Sequence, residues 1–176
     1  MLDSSCAFTG HRPHKLSWKY NEADSRCVAL KAVLMEQITR LVDTGMTAFY
    51  SGGADGVDCW AALIVLELRK KNPALRLHML LPHEGQADKW SDSAQDRYHS
   101  ILEKADSVEY VSREYYDGCM LDRNHRLVES AGVLLAVYNG EWRGGTAATV
   151  RYARKLGRRI IILNPTTLEV TKGQDG

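Results

Sequence analysis

Three short stretches concentrate the residues that could do chemistry. In Thr9-Gly10-His11-Arg12-Pro13, the glycine lets backbone approach a ligand closely, and the Arg12 guanidinium can grip a phosphate through two parallel N–H bonds. A plain turn carrying a surface arginine fits the same spacing equally well. Ser51-Gly52-Gly53-Ala54-Asp55-Gly56-Val57-Asp58 passes from a strand pattern through glycines into a helix pattern. Unpaired N–H groups and the helix dipole make such a turn a natural anion site. The stretch is neither a P-loop, which needs Gly-Lys-Ser/Thr, nor the dinucleotide GxGxxG. Its acids also have a local reading, Asp55 as helix N-cap and Asp58 near the reciprocal capping position. Asn139-Gly140-Glu141-Trp142-Arg143-Gly144-Gly145-Thr146 repeats the order of strand, glycine pair and helix. Two such loops exceed what turns alone require. Ser51 and Thr146 add hydroxyls able to bond phosphate oxygens.

Two further elements could complete a site. Arg123-Asn124 lies on a short helix pattern, where the arginine either neutralises phosphate or belongs to a solvated face. Pro82-His83-Glu84-Gly85-Gln86 with Trp90 could hold a base or ribose, although the spacing of Trp90 favours core packing. Metal and nucleophile signals are poor: His11 and His14 lack a third ligand, and neither HExxH nor GxSxG occurs. The basic positions Arg151, Arg154, Lys155, Arg158 and Arg159 suit a solvated helix end better than a nucleic-acid patch. The chemistry implied is binding of a small phosphate-bearing ligand, with no metal.

Those loops need elements to hold them. Short apolar runs at Ser5–Thr9, Thr47–Ser51, Leu75–Leu81, Ser107–Val111, Val133–Tyr138 and Arg159–Leu163 read as strands. Between them, helical spacing predicts helices over Asp24–Thr44, Val57–Lys71, about Ala87–Ala105, Cys119–Ser130 and Thr146–Leu156. Val57, Trp60, Ala61, Ile64, Val65 and Leu68 give the clearest apolar stripe. Alternation of strand and helix implies an α/β fold with a mainly parallel sheet between helical layers. In such sheets the ligand lies beyond the C-terminal strand ends, near the topological switch point. One domain spanning 1–165 and a flexible polar tail over 166–176 complete the expected organisation.

The 176 residues favour one domain, with 44% hydrophobic and 26% charged residues as in ordinary globular chains. A net charge of +1 gives no general drive toward nucleic acid or anionic membranes. Cys6, Cys27, Cys59 and Cys119 are dispersed, as packed thiols of a reducing compartment would be. The start shows no signal-peptide pattern and no apolar run could span a bilayer, so the cytoplasm is the expected location.

As an ordered set, Phe8–Pro13, Ser51–Asp58, Leu81-Pro82 with Gly85-Gln86 and Trp90, Cys119-Met120 with Arg123-Asn124, and Gly144-Gly145-Thr146 resemble the YpsA-like family of the SLOG superfamily, from about Ala7 to Leu163. The resemblance implies a Rossmann-like three-layer fold and a nucleotide pocket, with no cofactor required. The expected ligand class is ADP-ribose, an NAD-derived compound or another adenine nucleotide, bound or sensed. The ligand-binding residues would be Thr9, Gly10, His11, Arg12, Ser51, Gly52, Gly53, Ala54, Asp55, Asp58, Arg123, Asn124, Gly144, Gly145 and Thr146. Superfamily relatives often dimerise, so a homodimer is a possible partner state.

Two branches of the superfamily supply alternatives. LOG-type enzymes are phosphoribohydrolases that cleave the N-glycosidic bond of nucleoside monophosphates. Arg123 and the Gly144-Gly145 pair match their pattern, but Thr149-Val150-Arg151 stands where the catalytic glutamate belongs. Water activation at an oxocarbenium-like centre wants a carboxylate there. Catalytic residues are therefore unassigned, with Arg123 and Glu141 as candidates and Glu129 as a further substitute acid. DprA-type proteins bind single-stranded DNA, and Ser51–Asp58 resembles their motif, so a DprA-like nucleic-acid or protein-interaction module is the second alternative. The near-neutral charge and the lack of an added DNA-reading module argue against nucleic acid as the main partner.

Overall fold

Side chains alternate between the two faces of the first strand. Cys6 and Phe8 enter one apolar cluster and Ala7 enters another. The same alternation splits Val133, Leu135 and Val137 from Leu134 and Ala136. A strand buried on both faces needs such a continuous apolar run. The computed structural model describes residues 2–173. The strands are β1 (Ser5–Gly10), β2 (Ala48–Ser51), β3 (Arg76–Leu81), β4 (Ser107–Tyr110), β5 (Val133–Val137), β6 (Arg159–Leu163) and β7 (Val170–Gly173). The helices are α1 (Ser25–Asp43), α2 (Val57–Arg69), α3 (Asp92–Lys104), α4 (Cys119–Ser130) and α5 (Gly145–Lys155).

The sheet order is β4-β3-β2-β1-β5-β6-β7, parallel throughout except for β7. Helices α1, α2 and α3 supply the larger core cluster on one face, and α4 and α5 the smaller one on the other. This is the expected three-layer, Rossmann-like sandwich. The chain runs outward from β1 through β2, β3 and β4, then returns to place β5 on the other side of β1. The switch point therefore lies between β1 and β5. The loops that leave it are Thr9–Pro13 and Asn139–Thr146.

Three local expectations are corrected. The polar segment from Thr166 was expected to fray, but it carries β7, which pairs antiparallel with β6 from Ile160↔Gly173 to Leu163↔Val170. Backbone pairing at an edge asks little of side-chain polarity, so four polar-rich residues suffice. Residues 174–176 of the expected tail lie outside the described residues. The helix expected from Ala87 begins at Asp92 instead, because the Ser91 hydroxyl caps the Ala94 N–H at 3.3 Å. Ala87 and Trp90 lie in turns before it. Finally, Gly56 at φ 89° is the N-cap of α2, not Asp55.

Candidate functional site at the switch point

Gly10 ends β1 against the first turn of α2. A Cβ there would fall 2.5 Å from Val57 Cγ1, so this glycine allows close strand–helix packing. The chain then turns into a 3-10 turn, Pro13–Lys15, preset by the proline. His11 is buried beneath this turn. Its backbone N–H donates to the Val137 carbonyl, and its Nε2 accepts from the Asn139 N–H at 3.4 Å. Burial holds the imidazole below its ordinary pKa, against the opposing pull of Glu141. A neutral ring fits its role as acceptor.

The loop after β2 is braced from within. Ser51 Oγ donates to the Asp58 carbonyl at 2.9 Å and accepts from the Gly53 N–H at 3.2 Å. Asp58 Oδ2 accepts from the Ala54 N–H at 3.3 Å. Gly52 lies under Arg123, and Gly53, at φ 68°, lies against Leu81. The Ser51 hydroxyl, Gly52 and Gly53 thus have reasons internal to the fold, and they do not line the cavity described below.

Arg123 is 3% exposed. Its guanidinium donates to the Gly52 carbonyl, to Gln86 Oε1 at 3.4 Å, and through Nε to Asn124 Oδ1 at 2.8 Å. Desolvation lowers its pKa, with Asp58 pulling the other way. An arginine nevertheless stays charged in a protein. Burial likewise pushes the Asp58 carboxyl up, and Arg123 and Arg12 pull it back. A solvated-face reading of Arg123 does not survive this geometry. The signal that reveals it is its place midway between Cys119 and Leu127, the buried i, i+4, i+8 stripe of α4.

Helix α5 starts at the rim. Among the described residues no side chain caps its N-terminus, so its first N–H groups point outward from Gly145. Gly144 has φ 106°, and a Cβ on it would meet Lys15 Nζ at 2.8 Å. Gly145 is different. A Cβ there would meet only Asn124 Nδ2, at an ordinary 3.8 Å. No neighbour among the described residues demands this glycine.

These parts enclose a cavity of about 260 Å³. Eleven of the fifteen expected ligand residues line it: Thr9, Gly10, His11, Arg12, Ala54, Asp58, Arg123, Asn124, Gly144, Gly145 and Thr146. Asp55 instead lines an adjoining cavity of about 440 Å³. His14, Lys15, Tyr20, Lys89 and Met120 also line one or the other and were missed, although the run Arg12-Pro13-His14-Lys15 hinted at two of them. Trp90 both lines the second cavity and packs on Tyr98. Glu141 pairs with Lys15 at 2.8 Å, and Glu129 accepts from the Tyr152 hydroxyl at 2.7 Å. Thr149, fully buried, donates to the Gly145 carbonyl at 2.7 Å. Among the described residues no cluster of three or more metal-ligating acids, histidines or cysteines occurs, and no helix is long and apolar enough to cross a membrane.

Comparison with known proteins agrees with this architecture. The model of the YspA SLOG family matches residues 6–164. A UPF0398 protein of Halalkalibacterium halodurans is 28% identical over 95% of this chain and 91% of its own length. One of Shouchella clausii is 31% identical over 97% and 92%. Among solved structures, TM1055 superposes with a TM-score of 0.57 at 17% identity, covering 93% of this chain and 75% of that one. DNA processing protein A from Helicobacter pylori, a structure that describes a single-stranded DNA binding mode, gives 0.59 at 19% identity, covering 90% and 64%. At that identity the two structures share the fold with this chain.

Proposed function

The chain belongs to the YspA SLOG family, and from that premise we propose that it binds the phosphate end of a nucleotide at the switch point between β1 and β5. One observation carries the reading: α5 opens uncapped onto a cavity flanked by Arg12, Lys15 and the buried Arg123, at a glycine that no neighbour among the described residues requires. N–H groups at a helix start and a converging guanidinium are what a phosphate needs. ADP-ribose or another NAD-derived or adenine nucleotide is the ligand class that the family resemblance favours. The test is thermal shift against ADP-ribose, NAD, AMP, ADP, ATP, GTP and ribose 5-phosphate. A ligand specific for the folded state at a hundredfold excess over Kd adds about 2.7 kcal/mol. A flat panel would overturn the reading.

Single-stranded DNA is a second reading. The DprA structure shares the fold, and Trp142, 77% exposed in the loop before α5, stacks with Arg151 at 4.8 Å. Exposed aromatic and cationic groups are the platform such strands use. Neutral overall charge alone is thus too weak a ground for setting nucleic acid aside. A salt-sensitive gel shift would favour this reading, and none at low salt would end it. Turnover of the ligand is tested by release of free base from nucleoside monophosphates. Asp58 is the carboxylate within the cavity, whereas Thr149 is tied to backbone.

A further inference from the structure

The cavity at the start of α5 is small. At about 260 Å³ it falls below the roughly 300–1,000 Å³ usual for a small-molecule site. The adjoining cavity shares Arg12 and His14 with it, so the two meet at those side chains. Their chemistry differs. The first presents Arg12, Lys15, Arg123 and helix N–H groups, with the Asp58 carboxylate turned to the Ala54 N–H. The second presents the rings of Trp90 and Tyr20 and the carboxylate of Asp55, with Arg12 and Lys89 as its cations.

Trp90 and Asp55 are held in place, and with Tyr20 they leave part of their surface to the cavity. Trp90 stands edge-on to the buried Tyr98, with ring centroids 5.2 Å apart and planes at 78°, which fixes its orientation. Tyr20 keeps 68% of its surface in solvent. Asp55 is held by its own loop and by α3: Oδ1 accepts from the Gly56 N–H at 2.9 Å and from Arg97 at 3.1 Å. Arg97 is in turn bound to Glu22 at 2.9 Å. A carboxylate fixed in this way accepts from hydroxyl or amino groups.

We infer that the second cavity receives the base and sugar of the nucleotide whose phosphate lies in the first, with the base against Trp90 and Tyr20 and Asp55 accepting from the sugar hydroxyls. This rests on the phosphate reading above. It makes the ligand a base-bearing nucleotide that bends around Arg12, and it separates it from a phosphorylated sugar or a free pyrophosphate. The rings supply a sequence-tolerant stacking surface, while Asp55 selects for the diol.

The test is calorimetric titration of the full chain with pyrophosphate, ribose 5-phosphate, AMP and ADP-ribose. AMP or ADP-ribose should bind at least about tenfold tighter than ribose 5-phosphate, the gain expected from one stacked base. Tyr20→Ala, at a position exposed enough to leave folding intact, should erase most of that gain. Trp90→Leu should do the same, with its melting temperature recorded beside it. Both should leave pyrophosphate affinity within about twofold. AMP binding no better than ribose 5-phosphate, or both variants weakening pyrophosphate equally, overturns the base subsite. If pyrophosphate binds and Gly145→Asp abolishes it, the phosphate reading survives that failure. If pyrophosphate and all the nucleotides fail to bind, both readings fall.

Discussion

The guanidinium of Arg123 donates to the carbonyl of Gly52, and it can do so because Gly52 has no side chain. A Cβ on Gly52 would lie 2.6 Å from Arg123 Nη1 and 2.8 Å from its Cδ. This pair locks α4 to the loop after β2 and, through Gln86, to the loop after β3. Gly52→Ala should destabilise the fold by about 1–3 kcal/mol through overpacking. Arg123→Met should cost about 1–3 kcal/mol, because the Gly52 carbonyl keeps only the Gln86 Nε2 bond at 3.3 Å and Asp58 loses the nearer-acting of its two cations, leaving Arg12. Urea unfolding of both variants measures this, and unchanged midpoints would refute it.

Gly145→Asp and Gly53→Asp should behave in opposite ways. At the first position of α5 an aspartate has room and complements the helix dipole. Stability should stay within about 0.5 kcal/mol or rise slightly. Its carboxylate would occupy the anion site, so phosphate binding should fall about a hundredfold by titration. Gly53 has φ 68° and would drive a Cβ to 2.8 Å from Leu81. That variant should be recovered unfolded or insoluble, and its loss of binding would carry no information.

Lys15 faces two claims, its pairing with Glu141 and attraction to any anion in the cavity. Both partners of the pair are partly solvated, so the bridge contributes little to stability. Glu141→Gln should leave the melting temperature unchanged and raise pyrophosphate affinity a few-fold, most clearly at low salt. If Glu141 were instead a catalytic acid, turnover would vanish in this variant while binding persisted.

Acidification should weaken the fold through His11. Its pKa is lower folded than unfolded, because burial disfavours the imidazolium. The folded state therefore binds fewer protons. Stability is fully present above the unfolded histidine pKa and declines as pH falls below it. Melting temperatures between about pH 7.5 and 5 should drop more steeply in the wild type than in His11→Gln. Parallel slopes would remove His11 from the account.

Legibility in the sequence followed how each element earns its stability. The stripe on α2 and the double-sided run in β5 declare themselves, because burial dictates residue type along their whole length. The outer limits of α4 were equally plain, yet the burial of Arg123 was not, since one polar residue on an apolar face looks like noise until its partners across the loops are known. Asp55 looked like a cap by type, but the sharp turn at Gly56 took that place and released Asp55 to Arg97. Long-range pairs such as Lys15 with Glu141 leave no local trace at all. Edge strand β7 was hidden for another reason: its hold on β6 is through backbone, which every residue carries.

The adjacency of β1 and β5 sets a timetable for biosynthesis. Residues 9–13 emerge from the ribosome more than a hundred residues before 139–146. At roughly 5–20 residues per second, that is a wait on the order of 6–25 s. Throughout it β1 can pair with β2 but has an unfilled edge on its other side. Ligand cannot shorten this exposure, because half of its site has not yet been made. Nascent chains stalled before β5 should therefore depend on chaperones whatever the nucleotide supply, and only the finished chain can be rescued by it.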